Sequence, residues 1–112
     1  MPITDETLSS IGHRMNETSA FRPVLERALR HSLAHLGRLE QGPVGAGASL
    51  ETLRERLIKP LNNNGMPAEQ VIDELVADTA GGIVGSAGGR FFGWVIGGSL
   101  PAALAADWLT SA

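Results

Sequence analysis

The sequence R-F-F-G-W-V-I-G-G-S-L-P-A-A-L-A-A-D, residues 90–107, is the stretch that says most about the fold of this chain. It joins an aromatic cluster to a glycine pair and then to an apolar segment that opens with Ser99, Leu100 and Pro101. Because serine caps helices and proline is tolerated in a first turn, the pattern predicts a helix from near Leu100, with Ser99 as its cap. Glycines and β-branched residues disfavour helix over residues 83–98, where we expect extended or irregular chain.

A first helix is predicted much earlier, over about residues 19–39. Ser19 is its expected cap and Pro23 falls in its expected first turn. Leucines recur there at helical spacing and form one apolar stripe, namely Leu25, Leu29, Leu33 and Leu36. Residues 1–16 are polar and are expected to form a flexible N-terminus.

Two short helices are predicted between these elements. One spans about residues 50–59, with Ser49 as its cap, and the other runs from Pro67 to a stop before Gly81. A glycine-rich connector, residues 41–48, precedes them. The predicted fold is therefore mainly α, with three to four short helices plus a Gly-rich irregular loop.

Composition limits the classes of function. A chain of 112 residues holds one small domain, and its net charge of −3 comes without any basic stripe, so nucleic-acid binding is not expected. The absence of cysteine excludes a disulfide framework and a cysteine-based zinc site. The acidic N-terminal sequence lacks the features of a secretory signal, which favours the cytoplasm.

The last third of the chain is unusually apolar. From residue 79 onward the only charged side chains are Arg90 and Asp107, so this segment is expected to be buried in the rest of an enzyme, a partner or a bilayer. Glycine recurs at every fourth position from Gly81 to Gly97, a spacing also found where membrane helices touch. The longest uncharged run is shorter than the roughly 20 residues needed to span a bilayer, so no membrane is expected.

Residues 90–107 also resemble a known family. An R-F-F-G-x-V run that leads to a glycine and a P-A-x-L-A-D helix resembles the N-terminal region of the pyridoxal-phosphate-dependent group II decarboxylases (the aromatic-amino-acid and glutamate decarboxylase family). By this resemblance, residues 17–112 are the N-terminal helical segment of a fold-type-I enzyme, truncated before its cofactor-binding domain. The complete enzyme is then expected to be a cytoplasmic homodimer, paired through its N-terminal helices, that removes carbon dioxide from an amino-acid substrate.

The resemblance also implies a role for particular residues. In the family, the residues after R-F-F line the pocket for the substrate side chain, which here implicates Trp94, Val95, Ile96 and Gly97 in substrate binding. Trp94 and Ile96 are the expected pocket walls, and Gly97 stands where the family often carries a hydroxyl. From the residues alone, packing in a core is the better explanation of the aromatic cluster.

The cofactor is not expected to be held by this chain alone. Pyridoxal phosphate needs a lysine that forms a Schiff base, and the only lysine is Lys59, which does not match the family's S-x-H-K-like context. We expect Lys59 to be a solvated lysine at a helix end, and the isolated chain to be inactive with no catalytic residues of its own.

Two other chemistries are weighed against simpler explanations. His31 and His35 have the spacing of a helical zinc pair, but the intervening residues lack the glutamate of H-E-x-x-H, so exposed helix histidines are expected instead. The Gly-rich run has no phosphate-loop ending. The alternatives to a decarboxylase segment are an aminotransferase or other lyase of the same fold, a small non-enzymatic helical binding module with an apolar C-terminal interface, and a membrane-associated small protein.

Overall fold

The mainly α prediction is confirmed. The structure, a computed structural model, describes residues 2–112 apart from the side chains of residues 10–18, and that part of the chain contains helices and no strand. The helices in chain order are α1 (Asp5–Arg38), α2 (Leu50–Leu57), α3 (Ala68–Thr79) and α4 (Pro101–Ser111).

Helix α1 begins at Asp5, well before the predicted start at Ser19. Thr4 is the cap, since its hydroxyl accepts a hydrogen bond from the Thr7 amide at 3.3 Å, and Asp5 and Glu6 complement the positive end of the helix dipole. Pro23 consequently lies inside the helix and not in its first turn. The predicted start was wrong because Ser19 and Pro23, which suit a first turn, both lie inside a longer helix. Flexibility of the N-terminus stays a prediction, although residues 5–16 are helical.

The short helices lie close to their predicted positions. Ser49 caps α2, accepting a hydrogen bond from the Thr52 amide at 3.1 Å, as predicted. Pro67 immediately precedes α3. Pro101 is the first residue of α4, but the cap position is Leu100 and no side chain caps the helix, so the prediction of Ser99 as cap was wrong. Residues 83–98 contain turns and no regular element, as expected.

Helix α3 is the centre of the packing. It contacts α1 on one side and α2 on the other, whereas α4 packs against none of the other helices. An open cavity of about 620 Å³ separates α4 from the α1–α3 pair. The arrangement is therefore a three-helix layer with a fourth helix held at a distance.

The chain does not close around a core of its own. Among the described residues no apolar side chain is buried, and the radius of gyration is 19.4 Å, against about 13 Å for a compact chain of this length. The accessible surface is 9225 Å², against roughly 5,900 Å² for a compact monomer of 11.8 kDa. About 3,300 Å² of surface is thus left uncovered relative to a compact fold.

The apolar stripe of α1 lies on the uncovered side. Phe21, one turn earlier, joins Leu25, Leu29 and Leu33 on this side, and we call these four residues the leucine face. Their exposed fractions lie between 43% and 61%. Only Leu36 of the predicted stripe is half-buried. Helix α3 instead meets the side of α1 that carries Arg27 and His31. The periodicity identified the residues that share a face, but that face is not the one used inside this chain.

Gly81 fixes the connector against the end of α3. Its φ is +79°, and its carbonyl oxygen accepts hydrogen bonds from the amides of Gly47 at 2.7 Å and Ala48 at 2.9 Å. A Cβ at this position would lie 3.1 Å from the Cβ of Ala48. Both the backbone angle and the close approach therefore require glycine.

We expect Gly81→Val to destabilise the chain by about 1–3 kcal/mol, because a β-branched residue is strained at this positive φ. Urea unfolding followed by circular dichroism measures the change. Gly45→Val is the matched control, since a Cβ at Gly45 meets nothing within 4 Å. Equal losses for the two variants would contradict this role of Gly81.

Candidate functional site

The loop that carries the predicted site is anchored to the end of α1. The guanidinium of Arg90 donates hydrogen bonds to the carbonyl oxygens of Leu39, at 3.0 Å, and Gly42. The Glu40 carboxylate accepts a further bond from the Gly89 amide at 3.4 Å. Gly88 is buried, and a Cβ there would lie 3.5 Å from the Leu39 carbonyl oxygen. A Cβ at 88 would thus make ordinary van der Waals contact with the end of the helix, which shows how closely the loop lies against it.

The aromatic residues of the loop divide into an inward and an outward group. Phe91 is half-buried and lies over Gly93, where an added Cβ would be 2.8 Å from the ring. Its ring centroid is 6.4 Å from that of Trp94, at an interplanar angle of 42°. Phe92 and Trp94 are 91% and 85% exposed. The cluster is therefore a local pair with an exposed apolar tip, and it does not pack a core of this chain.

The four predicted substrate-binding residues lie together at this tip. Trp94 and Val95 have positive φ angles of 50° and 60°, and Val95 is fully exposed. Ile96 is 49% exposed and donates its amide hydrogen to the Gly93 carbonyl at 3.0 Å. At Gly97 an added Cβ would lie only 2.7 Å from the Phe91 carbonyl oxygen. None of the four lines the cavity beside α4, so pocket lining stays a prediction that requires a second surface.

The positive φ of Val95 gives a testable prediction. A β-branched residue is strained in this region, at a cost of about 1–3 kcal/mol, whereas asparagine tolerates it. Because the Val95 side chain is fully exposed, Val95→Asn is expected to increase stability by roughly 1 kcal/mol in urea unfolding. Phe92→Asn, in the same loop at an equally exposed position without positive φ, should give no such gain. A loss of stability in Val95→Asn would contradict the loop conformation.

Lys59 is held by acidic side chains of α3. Its ammonium lies 2.5 Å from Asp78 and 3.8 Å from Glu74. The hydrogen bond from Lys59 to Asp78, followed by the charges of Asp78 and Glu74, raises the pKa of Lys59 above its ordinary value. Lys59 is exposed and lies just beyond the end of α2, as expected, but it also has ion-pair partners that the sequence did not reveal. A raised pKa keeps the amine protonated, which opposes attack on an aldehyde.

Asp73 links α1 to α3. Its carboxylate accepts hydrogen bonds from Arg27 and, at 2.7 Å, from His31 Nε2. The bond to His31, and next the charge of Arg27, hold the pKa of Asp73 below its ordinary value against the opposing effect of desolvation. His31 and His35 are half-buried, so the prediction of exposed histidines was wrong: α3 covers this side of α1. Within residues 2–112, wherever side chains are described, no group of potential metal ligands is close enough to form a site.

A concave region lies beside α4. It lies between α1, α3 and α4 and is walled mainly by apolar groups, including Leu36, Val76, Leu104 and Trp108, and the half-buried His31 and His35 also line it. At this cavity Ser32 and Thr79 donate their hydroxyl hydrogens to main-chain carbonyl oxygens of their own helices, and His31 bonds to Asp73. Neither of these two hydroxyls is therefore paired with His31 in a catalytic arrangement. The sequence did not predict this cavity, because it depends on α4 standing away from the other helices.

Comparison of the chain with protein-family models, with curated protein sequences and with solved structures gave no match. Across residues 2–112, no helix combines the length and the apolar character needed to cross a bilayer. Function is therefore inferred from the chain's own residues.

Proposed function

We propose that this chain is the N-terminal segment of a pyridoxal-phosphate-dependent amino-acid decarboxylase, a carboxy-lyase, to which it contributes the substrate-side loop and the helices of a homodimer interface. The observation that carries the proposal is the ordered run of residues 90–107, in which R-F-F-G-W-V-I-G precedes P-A-A-L-A-A-D. The form of this stretch supports the proposal. Arg90 ties the loop to the end of α1, the tip is exposed, and a helix begins at Pro101.

The residues of this chain do not fit the cofactor itself. Lys59, the only lysine, is ion-paired with Asp78 and Glu74, and its raised pKa favours the protonated amine. In this proposal the groups that hold pyridoxal phosphate are not residues of this chain. In this proposal the chain's part is to bind and orient the substrate side chain, and to exclude water from one side of the site.

The leucine face of α1 supports the homodimer. Four large apolar side chains at successive helical turns are left exposed, while the other side of the helix is covered by α3. Exposed apolar surface of this extent is typical of a face that another subunit covers. We place the enzyme in the cytoplasm, a reducing compartment that suits a sequence without cysteine.

The proposal is tested by reading the coding DNA on the 3′ side of the Ala112 codon and expressing the polypeptide it encodes. A continuation with a Ser-x-His-Lys motif, together with carbon dioxide release that depends on pyridoxal phosphate and is lost when that lysine is replaced, is the expected result. Lys59→Met should leave the release unchanged. A stop codon with no such continuation, or a product that transaminates without releasing carbon dioxide, contradicts the assignment.

The isolated chain provides a second test. Titration with pyridoxal phosphate should give no visible aldimine band that borohydride fixes, because the Lys59 amine is held protonated. A stoichiometric, reducible band that disappears in Lys59→Met would show that this chain holds the cofactor by itself.

A non-enzymatic helical binding module is the second candidate function. The observation in its favour is that no apolar side chain in the described part of the chain is buried, which suits a protein that folds fully only against a partner. The coding-DNA experiment separates the two functions, because a binding module requires no pyridoxal phosphate and no reactive lysine.

A further inference from the structure

We infer that the cavity between α1, α3 and α4 binds an apolar carboxylate, a molecule with an aliphatic body and a single anionic head, as in a fatty acid of medium chain length. The cavity is separate from the loop of residues 90–98, none of which lines it. Binding there goes beyond the proposed function and does not depend on it.

The walls of the cavity suit an aliphatic body. Its volume is about 620 Å³, within the roughly 300–1,000 Å³ of small-molecule sites in proteins. Leu36 lines it from α1, Val76 from α3, and Leu104 and Trp108 from α4. Leu104 and Trp108 are four residues apart, so they lie on one side of α4. An aliphatic chain in the cavity would take its own surface and that of these side chains out of water, which is favourable.

The charged and titratable side chains that line the cavity are all basic. They are His31, His35 and Arg38, and no aspartate or glutamate in the described part of the chain lines it. His31 is already bonded to Asp73, at 2.7 Å. The cavity therefore offers His35 and Arg38 to a ligand head, without a carboxylate beside them that would repel an anion.

Arg38 and His35 are able to receive a carboxylate together. In the described part of the chain neither side chain makes a hydrogen bond or an ion pair. They are three residues apart on α1, a spacing at which helical side chains are neighbours. The guanidinium is always charged and its parallel N–H groups match the two oxygens of a carboxylate, while the imidazole supplies a further N–H donor.

The negative end of the α1 dipole lies nearby and would oppose an anion, but the main chain there already has donors. The Arg38 carbonyl oxygen accepts from the Gly42 amide at 2.8 Å, and the Leu39 carbonyl oxygen accepts from Arg90 at 3.0 Å. Arg38 and Arg90 bring two positive charges to this end of α1, where Glu40 brings one negative charge and does not line the cavity. The local balance thus favours an anionic head.

The test uses the whole 112-residue chain at neutral pH and three probes of equal chain length: decanoate, decanol and decylamine. Trp94→Phe is introduced so that Trp108 is the only tryptophan and its fluorescence reports on the cavity. We expect decanoate to bind at least tenfold more tightly than decanol or decylamine, because only the carboxylate forms charge-assisted bonds with Arg38. Butyrate, which has the same head and a shorter chain, should bind at least tenfold more weakly than decanoate, because it buries less apolar surface.

Substitution of Arg38 tests the head group. Arg38→Gln should weaken decanoate binding by about tenfold and leave decanol binding unchanged, because the charge is lost while the apolar walls remain. Arg30→Gln is the matched control, since it removes the same charge from an exposed position of α1 that does not line the cavity. Circular dichroism checks that both variants keep their helices.

Three outcomes would overturn the inference. The first is binding of decanol or decylamine as tight as that of decanoate, and the second is an equal loss of decanoate binding in Arg38→Gln and Arg30→Gln. The third is no binding of any probe, the result expected if α4 closes onto α1 and α3 or if a second copy of the chain fills the cavity. Because no measurement here involves pyridoxal phosphate, each of these outcomes leaves the decarboxylase proposal standing.

Discussion

At micromolar concentration the chain is expected to sediment as a homodimer of twice its 11.8 kDa mass. Its surface exceeds that of a compact monomer by about 3,300 Å², whereas a standard interface covers only about 800 Å² on each partner. The leucine face of α1 is the most regular part of that excess, with four large apolar residues at successive turns. Two such faces packed together would bury the most regular apolar part of the surface that this chain leaves in water.

Substitutions on the leucine face test its part in the dimer. Burial of one leucine contributes about 1.5–3 kcal/mol, so Leu25→Glu combined with Leu29→Glu should weaken dimerisation by far more than tenfold. Ala34→Glu is the control, because it adds the same kind of charge at an exposed position on another side of α1. Sedimentation of the wild type as a monomer at all concentrations, or equal effects of the control, would rule out this interface.

Among substitutions of a single carboxylate, Asp73→Asn should cause the largest loss of thermal stability, because it weakens the contact between α1 and α3. One carboxylate accepts hydrogen bonds from both Arg27 and His31, and no other side-chain hydrogen bond joins α1 to α3 in the described part of the chain. An amide in its place removes the negative charge, and its single oxygen is a weaker acceptor for Arg27 and His31 than the carboxylate. Thermal unfolding followed at 222 nm, about the wavelength at which helices are monitored, measures the loss, with Glu55→Gln as the exposed control.

The same residue predicts the direction of a pH dependence. Because folding lowers the pKa of Asp73, its contribution to stability is fully present above the ordinary aspartate value of 3.8. That contribution is lost as the pH falls through the lower pKa of the folded state. The wild-type chain should therefore lose more helix pairing on acidification than Asp73→Asn, in which this charge is already absent. Identical acid titrations of the two proteins would contradict the role of Asp73.

Local signals in the sequence predicted the short helices well. Ser49, Pro67 and Pro101 mark the starts of α2, α3 and α4 to within a residue or so, because caps and prolines act over a single turn. The start of α1 was missed because Ser19 and Pro23 together resemble a helix start, whereas the helix runs through both from its cap at Thr4. Leucine spacing in α1 identified a shared face, but spacing alone cannot say what covers that face.

The sequence could predict which residues form the candidate site, but not how exposed they are or which backbone angles they adopt. Trp94 to Gly97 are contiguous, so any fold brings them together, and the resemblance drew attention to them. Their exposure and the positive φ of Val95 depend on how the chain turns after Phe91, which no local pattern showed. Likewise the partners of Asp73 and Arg90 lie more than forty residues away in sequence, beyond the reach of helical spacing.

Arg90 donates hydrogen bonds to the carbonyl oxygens of Leu39 and Gly42, and these bonds limit where the chain can be truncated without affecting α1. A helix normally finishes with groups supplied by its immediate neighbours, yet here a side chain 51 residues downstream binds the main chain where α1 ends. The carbonyl oxygens at this end of α1 therefore gain their partner only after most of the polypeptide has been made. The connector, α2 and α3 must also have folded back by then. Truncation anywhere before Arg90 removes the loop and also leaves the Leu39 carbonyl oxygen, at the C-terminal end of α1, without its Arg90 donor.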